Sequence, residues 1–169
     1  MKIAVLVEDN YQVLEVWYPY YRLKEEGMQT IFVGTGRQEE YKSKEGYPVK
    51  EELAMKNARP EEFTGVIIPG GYAPDILRRH KEINDFVKKM SDQGKLIATI
   101  CHGGWVAVSA GILKGRKATC FSAIKDDIIN AGAKYVDSEV IVDGNLVTSR
   151  MPSDLPAFCR EIIRVLKHL

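Results

Sequence analysis

Leu96-Ile97-Ala98-Thr99-Ile100-Cys101-His102-Gly103-Gly104-Trp105 is the stretch that decides the fold. Its first five residues read as a short strand buried on both faces. The pattern stops at a cysteine, a histidine and two glycines, and Val106 to Leu113 then reads as a helix. A nucleophile at a tight strand-to-helix turn is the geometry of a nucleophile elbow. Gly103 and Gly104 allow a sharp turn and close approach of the backbone to a ligand. N–H groups at a helix start carry partial positive charge, a field that favours the thiolate. One run therefore offers a nucleophile (Cys101), a base or acid (His102) and an oxyanion site. Against this stands the plainer reading of a small cysteine buried at a strand end, which the neighbouring histidine and glycines disfavour.

Upstream, Ile3 to Val7 is a second continuous apolar run, again typical of a doubly buried strand. Glu8 to Gln12 is a polar loop. Val13 to Glu26 has a helical pattern with Leu14, Trp17, Tyr21 and Leu23 on a common inner face, Pro19 inside it and Gly27 to end it. Gln29 to Gly34 is a strand, and Tyr41 to Glu52 reads as a two-stranded surface excursion. Gly65 to Pro69 is a third buried strand, broken by Gly70-Gly71. Pro74 to Asp92 is helical with a seam at Arg79-His80.

Downstream, Lys117 to Cys120 is a candidate short strand. Ser122 to Ala131 reads as a helix capped by Ser122 and ended by Gly132. Val136 to Ser149 alternates about Asp143-Gly144, a hairpin signal. Met151 to Leu169 is a closing helix with Leu155, Phe158, Ile162, Val165 and Leu166 inward.

Strands alternating with helices predict an α/β sandwich: a mostly parallel sheet covered on both faces, with a peripheral β-hairpin. Ligands of such sheets sit beyond the carboxyl ends of the strands. The loops after Val7, Pro69 and Ile100 share that edge, so the topology brings Glu15, Gly70-Gly71 and Cys101-His102 together. Gly71 and His102 are the candidate oxyanion donors through their backbone N–H groups. His102 is the candidate base by elimination, since His80 lies among Arg78, Arg79 and Lys81 and His168 is penultimate. Glu15 stands in an apolar run, where a carboxylate needs a partner. Facing the site, burial would raise its pKa and let it donate a hydrogen bond to the thiolate. On the surface it would be an ordinary helix glutamate. Asp75 is either a helix cap or a carboxylate that orients His102, in the same molecule or across an oligomer interface. Cys120 and Cys159 read as core residues, and Trp17, Tyr18 and Trp105 as packing.

The chain has 169 residues, 45% of them hydrophobic and 28% charged, which fits one domain with an adequate core. A formal net charge of +1 gives no pointer to nucleic acid or an anionic membrane. Three cysteines, an odd count without paired spacing, favour a reducing compartment over a disulfide framework. No zinc-ligand spacing occurs. The apolar run at the N-terminus is too short for a signal peptide, and nothing approaches the length of a membrane span. The expected location is the cytoplasm, and no metal or organic cofactor is implied.

Four segments in fixed order resemble the PfpI-like family of intracellular cysteine peptidase homologues, related to the Parkinsonism-associated protein deglycases. They are Phe-Thr-Gly-Val-Ile-Ile-Pro-Gly-Gly (63–71), Ile-Cys-His-Gly (100–103), Ile-Lys-Asp-Asp (124–127) and Thr-Ser-Arg-Met-Pro-Ser-Asp-Leu-Pro (148–156). The resemblance runs end to end. It implies a flavodoxin-like, three-layer fold of the class I glutamine amidotransferase-like kind and a homo-oligomer, a dimer or a hexameric ring. It also implies a nucleophile at Cys101 beside His102, with Glu15 hydrogen-bonded to the thiol. In peptidase-like members a glutamate from a neighbouring subunit completes the triad, and the matching position here is Asp75. Other departures lie at the site edge: Gln12 replaces a second glutamate, Gly104 a proline and Phe121 a tyrosine. An amidotransferase activity is disfavoured, because it draws on a late histidine followed by glutamate and only His168 follows His102.

The leading expectation is thus a cysteine-dependent hydrolase acting on carbonyl centres of peptides, or of small dicarbonyls and their protein adducts. The alternative is a redox-sensing, stress-protective chaperone in which Cys101 oxidises without turnover.

Overall fold

The computed structural model describes residues 1–169. In chain order β1 (Lys2–Leu6) leads to α1 (Val13–Glu25) and β2 (Gln29–Gly34). The excursion that follows is an antiparallel hairpin, β3 (Glu40–Lys42) and β4 (Pro48–Lys50), and then a two-residue strand, β5 (Leu53–Ala54). Next come β6 (Gly65–Ile68), α2 (Ala73–Leu77), α3 (Lys81–Asp92), β7 (Leu96–Ile100), α4 (Gly104–Ser109), β8 (Lys117–Ala118), α5 (Lys125–Asn130) and β9 (Lys134–Tyr135). The chain closes with β10 (Val140–Asp143), β11 (Leu146–Ser149) and α6 (Leu155–Leu166).

Seven strands form one sheet in the order β10-β11-β7-β6-β1-β2-β5, parallel throughout except for β10. The central strands are buried almost end to end and, apart from Lys2 at the start of β1 and the buried Thr99 of β7, apolar, because both faces are covered. Helices α1 and α6 pack on one another and on the sheet, and α2 to α5 form the other packed set. The result is the expected three-layer α/β arrangement, and no helix is long and apolar enough to cross a membrane.

Register positions the site. Strand β1 has β2 on one side and β6 on the other, so the strand order reverses beside it. Ile68 of β6 pairs with Thr99 of β7, and Val5 of β1 with Ile67. The three strands therefore end almost level, and the loops carrying Gln12, Gly70 and Cys101 leave the same edge.

Three local expectations need correction. On α1 the buried residues are Glu15, Val16, Pro19, Tyr20 and Leu23, whereas Leu14 and Tyr21 are exposed. The helix carries aromatics on both faces, which blurs its apolar stripe, and Phe32 of β2 selects the inner one by stacking on Tyr20 at 4.2 Å. The strand at β8 leaves the main sheet and pairs with β9. Ser122 opens a 3-10 turn without capping α5 by its side chain.

Candidate functional site

At the end of β7, Ile100 is still extended, but Cys101 has φ +58°, left-handed backbone that a non-glycine residue rarely adopts. Such a conformation costs about 1–3 kcal/mol and persists only where the surroundings impose it. The surroundings here are close. A Cβ on Gly70 would lie 2.7 Å from both the Cys101 Cβ and Glu15 Oε2, so only glycine fits there. Gly71, at φ +80°, presses its Cα on the Tyr11–Gln12 backbone, where a Cβ would meet Gln12 N at 2.6 Å. Both constraints aim the 70–71 loop at the sulfur.

Glu15 reaches the same point from α1. Gln12 caps that helix, its side-chain oxygen accepting the Glu15 N–H at 3.0 Å. Glu15 is fully buried, its Oε2 accepts the Gly70 N–H at 2.7 Å, and its Oε1 has no hydrogen-bond partner. Burial raises its pKa to about 7, opposed by the Gly70 N–H, the Cys101 thiol and the charge of Lys44.

Cys101 is 8% exposed. Burial pushes its thiol up to about 12, and the charge on Glu15 pushes the same way. The N–H groups of His102 and Gly71 beside the sulfur pull it down. The field of the helix start is therefore opposed: burial first, and the charge on Glu15 second, raise the thiol against the two N–H donors.

His102 Nδ1 stands 3.3 Å from the Cys101 sulfur. Its ring is wedged between Trp105, edge-on at 5.1 Å, and Phe121 at 5.2 Å. Burial and then Lys44 lower its pKa, which keeps the imidazole neutral at pH 7 and able to take a proton. Phe121 is tied to the elbow through its N–H to the Cys101 carbonyl at 3.4 Å.

A cavity of about 470 Å³ opens over these groups. Gln12, Glu15, Gly71, Cys101, His102 and Phe121 line it, as the sequence suggests. Gly70 and Gly103 do not: Gly70 packs behind the Cys101 Cβ and Glu15 Oε2, and Gly103 backs onto the Ile68 carbonyl. Asp75 is also absent from the wall. It sits in the first turn of α2, ion-paired with Arg79 and a quarter exposed, and does not cap the helix. Within one chain His102 has no carboxylate partner. Lys44, Tyr72, Trp105, Met151 and Pro152 complete the wall without having been singled out for it. Met151 and Pro152 lie in a segment quoted above, whereas Lys44 was one of several lysines in the excursion. The glycine at 104 has a packing reason, since a Cβ there would meet Ile124 Cδ1 at 3.1 Å. No cluster of His, Cys, Asp and Glu able to hold a metal is present, and Cys120 and Cys159 are buried core thiols.

A thiol beside an acid, a base and two N–H donors can add to a carbonyl carbon and hold the resulting oxyanion. Comparison with known proteins places this arrangement. The sequence profile of the DJ-1/PfpI family matches residues 1–165. Deglycase PfpI from Pyrococcus furiosus is 44% identical over 167 residues, covering 99% of this chain and 100% of its own. The putative cysteine protease YraA from Bacillus subtilis is 39% identical over 166 residues, covering 98% of each. Among solved structures, a two-domain protein from Anabaena variabilis with DJ-1/ThiJ/PfpI-like and ferritin-like domains superposes with a TM-score of 0.96 at 40% identity. That match covers 99% of this chain and 50% of that one. Drosophila melanogaster DJ-1beta superposes at 0.91 and 24% identity, over 98% and 89% of the two chains, a likeness of fold. With its elbow cysteine at the end of β7 and its profile match over nearly the whole length, the chain belongs to the DJ-1/PfpI family.

Proposed function

We propose that this protein is a cysteine-dependent hydrolase acting on carbonyl carbons, with 2-oxoaldehydes and their protein adducts as its first substrate class and peptide bonds as its second. The observation that carries this reading is the left-handed Cys101, whose sulfur meets the Glu15 carboxyl, His102 Nδ1 and the N–H groups of Gly71 and His102. The relatives named as deglycase and cysteine protease support the same chemistry.

Glu15 and Cys101 act as a coupled pair that loses one proton near the value about 7 held by Glu15. The remaining proton resides on sulfur or on the carboxyl. In the reactive form Glu15 is neutral and donates to the thiolate. The thiolate adds to the aldehyde carbon, and the oxyanion takes the two N–H donors. His102 carries the proton from the former aldehyde carbon to the neighbouring carbon, whose oxygen takes the proton that Glu15 held as the oxyanion collapses to the carbonyl. The product is a thioester, which water hydrolyses with His102 as base. The net change is addition of one water to the oxoaldehyde to give a hydroxy acid. With a peptide, the proton held by Glu15 passes instead to the leaving amine, relayed by His102.

The protein acts as a homo-oligomer in which Asp75 of a second copy orients His102, since His102 has no acid of its own chain and Asp75 lies off the cavity. The test of the reading is Cys101→Ala assayed for methylglyoxal turnover, release of methylglyoxal adducts from protein, and peptide hydrolysis. Loss of every activity is expected. Full activity in any of them would remove Cys101 as its nucleophile. Reversible oxidation without turnover is the competing use of the same sulfur, and intact mass after mild peroxide reads it directly.

A further inference from the structure

Residues 10–12 touch three parts of the site at once. Asn10 is the second non-glycine residue in left-handed backbone, at φ +62°. Its carbonyl accepts the Tyr72 N–H at 2.8 Å, and the Gln12 N–H bonds the Gly70 carbonyl at 3.2 Å, so this segment clamps the Gly70-Gly71 loop. On the other side the Asn10 N–H bonds the Lys42 carbonyl at 2.7 Å, and the Tyr11 carbonyl accepts the Lys44 N–H at 3.1 Å. Tyr11 itself is fully buried. Its hydroxyl donates to the Tyr47 carbonyl at 2.7 Å and accepts from Trp17 Nε1 at 3.2 Å. Both ends of the 43–47 tip are thus fixed to one residue, Lys44 through its backbone and Tyr47 through the phenol.

The tip carries a cation. The Lys44 ammonium has no ion pair or side-chain hydrogen bond in this chain, and it lines the reaction cavity with Glu15, Tyr72, Cys101 and His102, the other titratable groups there. A flexible exposed lysine contributes to such a site only if its backbone is held.

We propose that Tyr11 is a positioning residue for the cysteine chemistry: its hydroxyl latches the β3–β4 hairpin so that Lys44 stands over Cys101 and Glu15. This rests on the reading of Cys101 as the nucleophile. Lys44 favours the ionised form of Glu15 and disfavours the protonated form of His102. Releasing the hairpin therefore moves the titration of the Cys101–Glu15 pair to higher pH.

The test is the rate of Cys101 alkylation by iodoacetamide against pH, read by peptide mass in the full chain, with substrate turnover measured in parallel. Lys44→Met is expected to raise the midpoint by on the order of a few tenths of a pH unit, as befits a screened, exposed charge. Tyr11→Phe removes one oxygen and is expected to give the same shift, with alkylation at pH 6.5 about two-fold slower. Adding Lys44→Met to Tyr11→Phe is expected to change nothing more, because both act through one charge. An unshifted profile in Tyr11→Phe alongside a lowered Tm would leave Tyr11 a mere packing residue and overturn the proposal, as would additive shifts in the double variant. If Tyr11→Phe does not fold, Ser43→Ala loosens the same tip by removing the oxygen that accepts the Glu45 and Tyr47 N–H groups at 3.1 Å. The shift must then appear there, and its absence overturns the proposal equally. Alkylation needs no substrate, so a protein that alkylates as described yet turns nothing over would sink the proposed activity alone.

Discussion

Glu15→Gln isolates the consequence of burying a carboxyl beneath the nucleophile. In the folded chain Glu15 is fully buried and its pKa rises from 4.5 to about 7. A group that holds its proton more tightly when folded contributes fully below its unfolded value, and that contribution is lost as pH rises through the folded one. The window is therefore pH 4.5 to 7, and the shift corresponds to about 3 kcal/mol of stability withheld from the wild type above it. Glutamine has nearly the same shape and can accept the Gly70 N–H, but it does not titrate. The variant is expected to match the wild type at pH 4 and to exceed it by about 3 kcal/mol at pH 8. Urea unfolding followed by Trp17 and Trp105 fluorescence, under reducing conditions at pH 4, 6 and 8, measures the difference. Turnover is expected to fall on the order of 10²- to 10³-fold, since the thiolate loses its acid partner. A stability difference that does not change with pH, or a wild type more stable than the variant at pH 8, would refute the reasoning.

Other outcomes follow from the same geometry. Gly70→Ala places a Cβ 2.7 Å from the Cys101 Cβ and Glu15 Oε2, and is expected to cost about 1–3 kcal/mol in unfolding free energy and most of the turnover. All three thiols are pushed up to about 12 from 9 by burial. By the same sign rule stability should fall as pH rises from 9 towards 12, and Cys159→Ala should flatten that limb in a fluorescence titration. Asp75→Ala is expected to lower turnover with little loss of Tm. Mixed with Cys101→Ala protein, it should regain part of the activity if Asp75 serves a neighbouring copy's His102. No recovery after subunit exchange would place Asp75 outside the site.

Much of the fold is legible because the buried strands are long apolar runs and the breaks are chemically marked. Ile3 to Val7, Gly65 to Ile68 and Leu96 to Ile100 could face water on neither side, and the hairpin turn falls one residue later than Asp143-Gly144, at Gly144-Asn145 between the paired Asp143 and Leu146, with Gly144 at φ +57°. The inner face of α1 was not legible. Its stripe includes a buried glutamate and a proline, while Leu14, Tyr18 and Tyr21 stay outside. Strand β5, two residues long, leaves no periodic signal. At the site, the glutamate in an apolar run and the cysteine at the elbow were visible because each breaks a local rule. Lys44, Tyr72 and Tyr11 break none. Their places depend on where the β3–β4 hairpin folds back, which is a matter of long-range hydrogen bonds through Asn10, Tyr11 and Tyr47. The balance of forces on the Cys101 thiol is hidden for a related reason. Proximity to a helix start is readable in sequence, whereas the depth of burial that opposes it is not.

The most direct test concerns the pair at the centre of the site: the pH dependence of Cys101 alkylation in the folded wild-type protein. A single midpoint near pH 7, absent from Cys120 and Cys159 and lost in Glu15→Gln, is the expected result. A thiol that stays inert until pH 9 or above, or one whose profile is untouched by Glu15→Gln, would contradict it.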